Sequence, residues 1–178
     1  MNTISVQYYK SPVGELIIGD YNNRLCLCDW HFRKMRESID KRIKGVLNAE
    51  FKEQNTDLIA STILQLEEYF AKDRITFDLP IEFAGTSFQK SVWETLQTIP
   101  YGQTETYLGL SRRLGNEKAI RAVASANGAN AISIIIPCHR IIGSNGELTG
   151  YAGGLHAKKR LLQLENVSNI STQQLEIF

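Results

Sequence analysis

A chain of 178 residues, 43% hydrophobic and with a net charge of +1, is long enough for one large folded domain or two small ones, and too apolar to stay disordered. No apolar run approaches the roughly 20 residues that span a bilayer, and Met1-Asn2-Thr3-Ile4-Ser5 lacks the basic-then-apolar order of an export signal, so a cytoplasmic protein without a membrane partner is expected. Three cysteines are too few, and odd in number, for a disulfide framework; they suit a compartment where thiols stay reduced.

The near-neutral total hides an asymmetry. Residues 1–84 carry a net −2 and residues 85–178 a net +3, and the window 112–160 sets eight basic residues against only Glu117 and Glu147. A basic face on a neutral chain suits a polyanionic partner, although it can equally be a solvated surface.

Residues 4–9, 15–19 and 25–30 have strand composition and are separated by turns at Ser11-Pro12-Val13-Gly14 and Asn22-Asn23. Residues 33–53 are charged and weakly patterned, which predicts a surface helix or loop. A helix is predicted from Asp57, with Ile59, Ile63, Leu66 and Phe70 on one face. Residues 75–83 read as a last strand leading to a domain boundary at Gly85-Thr86. Beyond it, Ser87 is placed as the cap of a helix carrying Val92, Trp93 and Leu96, ended by Pro100-Tyr101-Gly102. Residues 106–114 and 117–126 read as two short helices joined at Gly115-Asn116, a helix-turn-helix pattern. Residues 132–136 read as a buried strand stopped by Pro137. Five glycines within 143–154 mark a loop where backbone can approach a partner. Residues 158–165 read as a closing helix, and 166–178 as a polar, peripheral tail.

Cys138 ends the apolar run and is followed by His139 and Arg140. A thiol with a pKa of roughly 8.5 is mostly protonated at neutral pH; an imidazole that takes its proton, with positive charge nearby, makes it a nucleophile. A buried thiol beside a histidine is nonetheless more often core than catalyst. Cys26, Cys28 and His31 form a second cluster. Their spacing suits a tetrahedral ion poorly and no fourth ligand is apparent, so they read as packing residues and no metal site is expected.

In chain order stand Phe88-Gln89 with Val92-Trp93, Ile99-Pro100-x-Gly102-x-Thr104-x-Thr106-Tyr107, Arg121-Ala122-Val123, Asn130, Ile136-Pro137-Cys138-His139-Arg140, Gly150-Tyr151-x-Gly153-Gly154, Lys158 and Leu161-Leu162-x-x-Glu165. This series resembles the O6-alkylguanine-DNA alkyltransferases, the methylated-DNA–protein-cysteine methyltransferases. Ser11-Pro12-x-Gly14 and the opening strands resemble that family's N-terminal domain more loosely. The resemblance implies an α+β protein: a small, ribonuclease H-like N-terminal α/β domain with a three-stranded antiparallel sheet over 1–84, and a mostly helical winged helix-turn-helix domain over 85–178 that binds DNA and holds the active site.

It also implies roles. Cys138 would accept the alkyl group, His139 would act as its base through a water, and Glu165 would hold His139. Tyr107 would contact the flipped base, Arg121 would fill the gap left in the stack, and Asn130 would brace the turn before the acceptor. Ala119 and Ala122 would let the second short helix approach the minor groove. Arg140, Tyr151, Ala152 and Gly153 would complete the substrate and DNA contacts. The partner would be double-stranded DNA carrying O6-alkylguanine, O4-alkylthymine being a further substrate. No cofactor is expected. A monomer is expected, with side-by-side binding along DNA left open. Ala131 stands where family members commonly have proline, Ile120 where a small residue is frequent, and Ala152 where some relatives carry a hydroxyl; Gly153 leaves room for bulky alkyl groups. Two alternatives are a module that binds alkylated bases without repairing them, which would lack the acceptor cysteine, and a winged-helix regulator, which would have no use for a buried thiol beside a histidine.

Overall fold

The computed structural model describes residues 1–168 and Ile170, and divides into two compact units. The first comprises Met1–Thr86 together with Ala131–Ile135; the second comprises Ser87–Asn130 and the chain from Ile136 onward.

In the first unit, β1 (Asn2–Ser11), β2 (Gly14–Tyr21) and β3 (Arg24–Trp30) form an antiparallel meander. The β2–β3 turn holds Asn22 and Asn23 at φ 52° and 60°, the left-handed pair that a two-residue hairpin needs and that asparagine tolerates. At the β1–β2 turn, Ser11 Oγ donates to Gly14 O at 2.6 Å and accepts from Val13 N at 3.2 Å. The sheet has four strands rather than three. Helix α1 (Arg36–Leu47) crosses over to β4 (Ala49–Glu53), which pairs parallel with β1, giving the order β3-β2-β1-β4. The run expected to be only a surface helix or loop thus holds a helix and a strand. The strand hides because Ala-Glu-Phe-Lys-Glu is a short, charged edge, as edge strands tend to be. Helix α2 (Asp57–Phe70) begins at Thr56, whose Oγ1 accepts from Ile59 N at 3.1 Å. It buries Leu58, Ile59, Thr62, Leu66 and Tyr69, while Ile63 and Phe70 are only half-buried.

Two expected strands are not strands. Within residues 75–83 only Ile81 forms a bridge, to Leu25, flanked by Leu25 N donating to Pro80 O at 2.7 Å and Glu82 N to Leu25 O at 2.9 Å. Within residues 132–136 only Ile132 bridges, to Cys28; Cys28 N donates to Ala131 O at 2.9 Å and Ser133 N to Cys28 O at 2.7 Å. The chain then turns at Ile134, whose φ of 72° is rare for a β-branched residue. An apolar run alone does not separate a strand from a buried turn.

In the second unit, α3 (Ser87–Leu96) buries Val92, Trp93 and Leu96, and ends before Pro100. Ser87 is its first residue rather than its cap. Trp93 Nε1 donates to Ala126 O at 2.8 Å, pinning α3 to the helix that carries Ala126. Helix α4 (Tyr107–Arg113) is capped by Thr106 Oγ1, which accepts from Gly109 N at 2.9 Å. Gly115, at φ 75°, turns the chain into a 3-10 turn (Glu117–Ala119) that runs into α5 (Ile120–Gly128). These two short helices form the expected helix-turn-helix. β5 (Glu105–Thr106) pairs parallel with β6 (Ile141–Ile142), and α6 (Leu155–Leu164) closes the unit, starting three residues earlier than expected. The tail is not wholly peripheral. Ile170 packs with Ile142, Leu148 and Leu162, and Val167 packs against them. The other residues expected in that tail, 169 and 171–178, lie outside the described residues.

Candidate active site

Asn130, at the end of the helix-turn-helix, is buried, and its Nδ2 donates to Ile136 O at 3.0 Å. The same carbonyl accepts from Cys138 N at 2.8 Å. The bend that proline would stiffen is therefore held here by a side-chain amide, while Ala131 sits in the first unit's core. Pro137 leads into a 3-10 turn, Cys138–Arg140, whose three side chains are all buried. One short turn thus carries a thiol, an imidazole and a guanidinium away from water, at a cost that requires partners.

Glu165, at the C-terminal end of α6, supplies them. Its Oε1 lies 2.7 Å from His139 Nε2 and accepts from Arg140 Nη2 at 3.0 Å; its Oε2 accepts from Arg140 Nε at 2.9 Å and from Gly102 N at 3.2 Å. Burial alone would raise the Glu165 carboxyl, but His139 and Arg140 outweigh it and hold the group well below the usual carboxylate range. An ionised carboxylate only accepts, so Nε2 of His139 carries the proton and Nδ1 is left with a lone pair. Nδ1 is buried and has no hydrogen-bond partner among the described residues. Burial pushes the imidazole pKa down, against the pull of Glu165, so the ring is neutral and able to accept a proton.

The motif series also contains Lys158. It is fully buried on α6, and its Nζ donates to Ile141 O and, at 2.7 Å, to Thr149 O. Burial pushes its pKa down to about 8, opposed by Cys138, whose thiolate would be a counter-charge. Lys158, Leu161, Leu162 and Glu165 follow an i, i+3, i+4, i+7 pattern, which places a lysine on the buried stripe. Thr149 Oγ1 in turn donates to Tyr107 Oη at 3.4 Å, so Lys158, the glycine loop and Tyr107 form one connected chain. At the start of the same helix, the Glu105 carboxylate accepts from Thr106 N at 2.9 Å and from Arg113 Nε at 3.0 Å. That carboxylate lies where a side chain on Gly109 would stand.

The other expected residues fall in two places. Arg121 and Ala122 are exposed on α5, with Ala119 half-buried just before it and Ile120 exposed beside them. Tyr151, Ala152 and Gly153 are half-buried in the glycine loop, the Tyr151 ring standing edge-on to His139 with centroids 6.5 Å apart. Arg140, expected among the substrate- and DNA-facing residues, turns its guanidinium inward. Besides its fork on Glu165, Nη1 donates to Ile99 O at 2.7 Å. Cys26 and Cys28 lie in the first unit's buried interior; burial pushes the Cys26 thiol up to about 12 and raises the Cys28 thiol as well, which disfavours the reactive thiolate in both. His31 pairs with Glu15 at 3.3 Å instead of facing the cysteines. Among the described residues no three His, Cys, Asp or Glu side chains converge on a metal-sized site, and no helix is long and apolar enough to cross a membrane.

Comparison with known proteins bears on the whole chain. Residues 87–167 match the family model described as the 6-O-methylguanine DNA methyltransferase, DNA binding domain, and residues 4–83 match its ribonuclease-like domain. A methylated-DNA–protein-cysteine methyltransferase of Methanosarcina acetivorans is 43% identical over 88% of this chain and 95% of its own length. The constitutive enzyme of that name from Bacillus subtilis is 41% identical over 92% of this chain and 98% of its own. The crystal structure of Mycobacterium tuberculosis OGT in complex with DNA is 33% identical, covers 98% of this chain and 99% of that one, and superposes with a TM-score of 0.79. With both domains matched and the similarity running nearly end to end, the chain belongs to the 6-O-methylguanine DNA methyltransferase family.

Proposed function

We propose that this protein repairs DNA by direct reversal of damage, moving the alkyl group of O6-alkylguanine irreversibly to Cys138. The observation that carries the reading is the Cys138–Arg140 turn, where a buried thiol precedes a neutral imidazole whose Nε2 is fixed 2.7 Å from Glu165. His139 Nδ1 takes the thiol proton through a bridging water, following the nucleophile–base–orienter logic of other sites. The thiolate sulfur forms a bond to the alkyl carbon. The bond from that carbon to guanine O6 breaks with its electron pair left on the base, which then takes up a proton. A thioether has no route back, so each molecule acts once. The displacement needs a nucleophile and a proton donor and no cofactor.

The alkyl group lies inside the duplex, so the nucleotide must be extruded, at a cost of a few kcal/mol that a weakened lesion pair reduces. α5 enters the minor groove, Arg121 occupies the vacated stack, and Ala119 and Ala122 permit close approach. Tyr107 meets the extruded base, and Tyr151, Ala152, Gly153 and the Cys138 amide line its pocket. The same site would take O4-alkylthymine, and room at Gly153 would admit larger alkyl groups. The protein acts as a cytoplasmic monomer with residues 85–178 as its DNA-binding and active-site part.

The test is mass spectrometry after incubation with an O6-methylguanine duplex. The peptide containing Cys138 should gain one methyl, about 14 Da. Tight binding without that gain would instead favour a recognition module.

A further inference from the structure

We propose that Arg140 is a positioning residue for alkyl transfer rather than a DNA contact: its guanidinium fork shares the Glu165 carboxylate with His139, ties it to the Ile99 carbonyl, and so governs how readily the imidazole takes the thiol proton. The inference rests on the reading of Cys138 as alkyl acceptor.

The geometry is that of a fully occupied carboxylate. Four donors meet the two Glu165 oxygens: His139 Nε2 and Arg140 Nη2 on one, Arg140 Nε and Gly102 N on the other. The remaining Arg140 arm reaches Ile99 O, and its guanidinium carbon lies 5.9 Å from the centroid of the Tyr101 ring. A bidentate fork fixes the plane of the carboxylate, and the carboxylate fixes the imidazole. Three of the five guanidinium N–H groups are committed to these bonds, and burial, with only 7% of the residue exposed, keeps the other two from reaching a phosphate on the surface.

A buried cation next to the base also has an electrostatic effect. The groups around His139 are Cys138 and Arg140 in its own turn, Lys158 on α6, Glu165 capping the C-terminal end of that helix, and the Tyr151 ring in the glycine loop. With Arg140 and Lys158 cationic and Glu165 anionic, a Cys138 thiolate balances the cluster only when the imidazole is neutral. Removing the Arg140 charge therefore favours the protonated state of both the imidazole and the thiol. The acid limb of the transfer rate must then move to higher pH.

The experiment is single-turnover methyl transfer from an O6-methylguanine duplex, followed against pH for the wild type, Arg140→Met and Arg140→Lys, with duplex affinity measured in parallel. For Arg140→Met the acid limb is expected to rise by about one pH unit and the affinity to stay within about twofold. Arg140→Lys keeps the charge but loses the fork, so its limb is expected to move the same way by less, and it decides the matter if the methionine variant does not fold. A limb that stays in place while duplex affinity drops would make Arg140 a DNA contact. A uniform loss of rate with an unmoved limb would reduce it to structural support. Either result overturns the inference. A wild-type protein that takes up no methyl is a different outcome, and overturns the alkyl-acceptor reading itself.

Discussion

Glu165 and His139 meet at 2.7 Å with both side chains fully buried, and the same carboxylate neutralises Arg140. Glu165→Gln removes the anion while leaving the cation in place. Breaking one partner out of a buried pair costs about 3–5 kcal/mol, so urea unfolding should show a loss of that order. Methyl transfer to Cys138 should slow as well, because a neutral amide holds the imidazole in its Nε2-protonated form less firmly than a carboxylate does.

The pH dependence of stability follows from the same carboxylate. Its folded pKa lies below the unfolded value of roughly 4.3, so the unfolded state binds the proton first. The stabilisation is complete above that value and is lost as pH falls toward the folded pKa. Denaturant titrations from pH 6 downward should therefore give a shallower acid slope for Glu165→Gln than for the wild type.

Lys158 runs the opposite way. Its pKa is about 8 in the fold and roughly 10.4 unfolded, so between those values the unfolded chain holds a proton that the folded one has released. Stability gained from this group rises with pH across that window. Comparing wild type with Lys158→Met from pH 7 to 10.5 should show the difference shifting in favour of the wild type as pH increases.

The amide of Asn130 joins the end of the helix-turn-helix to the Ile136 carbonyl. Asn130→Ala leaves that buried carbonyl with one partner fewer, and the cost should be about 1–3 kcal/mol in unfolding free energy. The acceptor turn follows directly, so the transfer rate should fall along with the stability.

Arg121 is exposed and contributes little to the fold. Arg121→Ala should leave unfolding free energy within about 0.5 kcal/mol of wild type, slow repair of duplex substrate, and leave reaction with a free alkylated guanine largely intact. Equal losses on duplex and free base would place Arg121 in the chemistry rather than in nucleotide extrusion.

Local patterns made much of the fold legible. The Asn22-Asn23 hairpin and the buried trio Val92, Trp93 and Leu96 can be read from neighbours a few residues apart. β4 could not, because a charged edge looks like a surface loop. Residues 132–136 could not, because an apolar run does not reveal that Ile134 turns left-handed. The site divides the same way. Cys138 beside His139 is adjacent in sequence, and the family resemblance adds Glu165. That Arg140 points inward, and that Lys158 holds the Ile141 and Thr149 carbonyls, are tertiary facts: each depends on which carbonyl or carboxylate the fold delivers to a long cationic side chain.

Ser133 Oγ donates to Asp29 Oδ1 at 3.0 Å across 104 residues of sequence, and Ala131–Ile135 belongs to the same compact unit as the first strands. A chain emerging from the ribosome therefore cannot finish its N-terminal body when that body's own residues have appeared. Cys28 and Asp29 must wait for a segment made three-quarters of the way through synthesis, and long-range closure of this kind is slow. The segment that completes the first body is also the one that leads straight into Pro137-Cys138, so one short stretch of late-made chain both closes that body and carries the thiol.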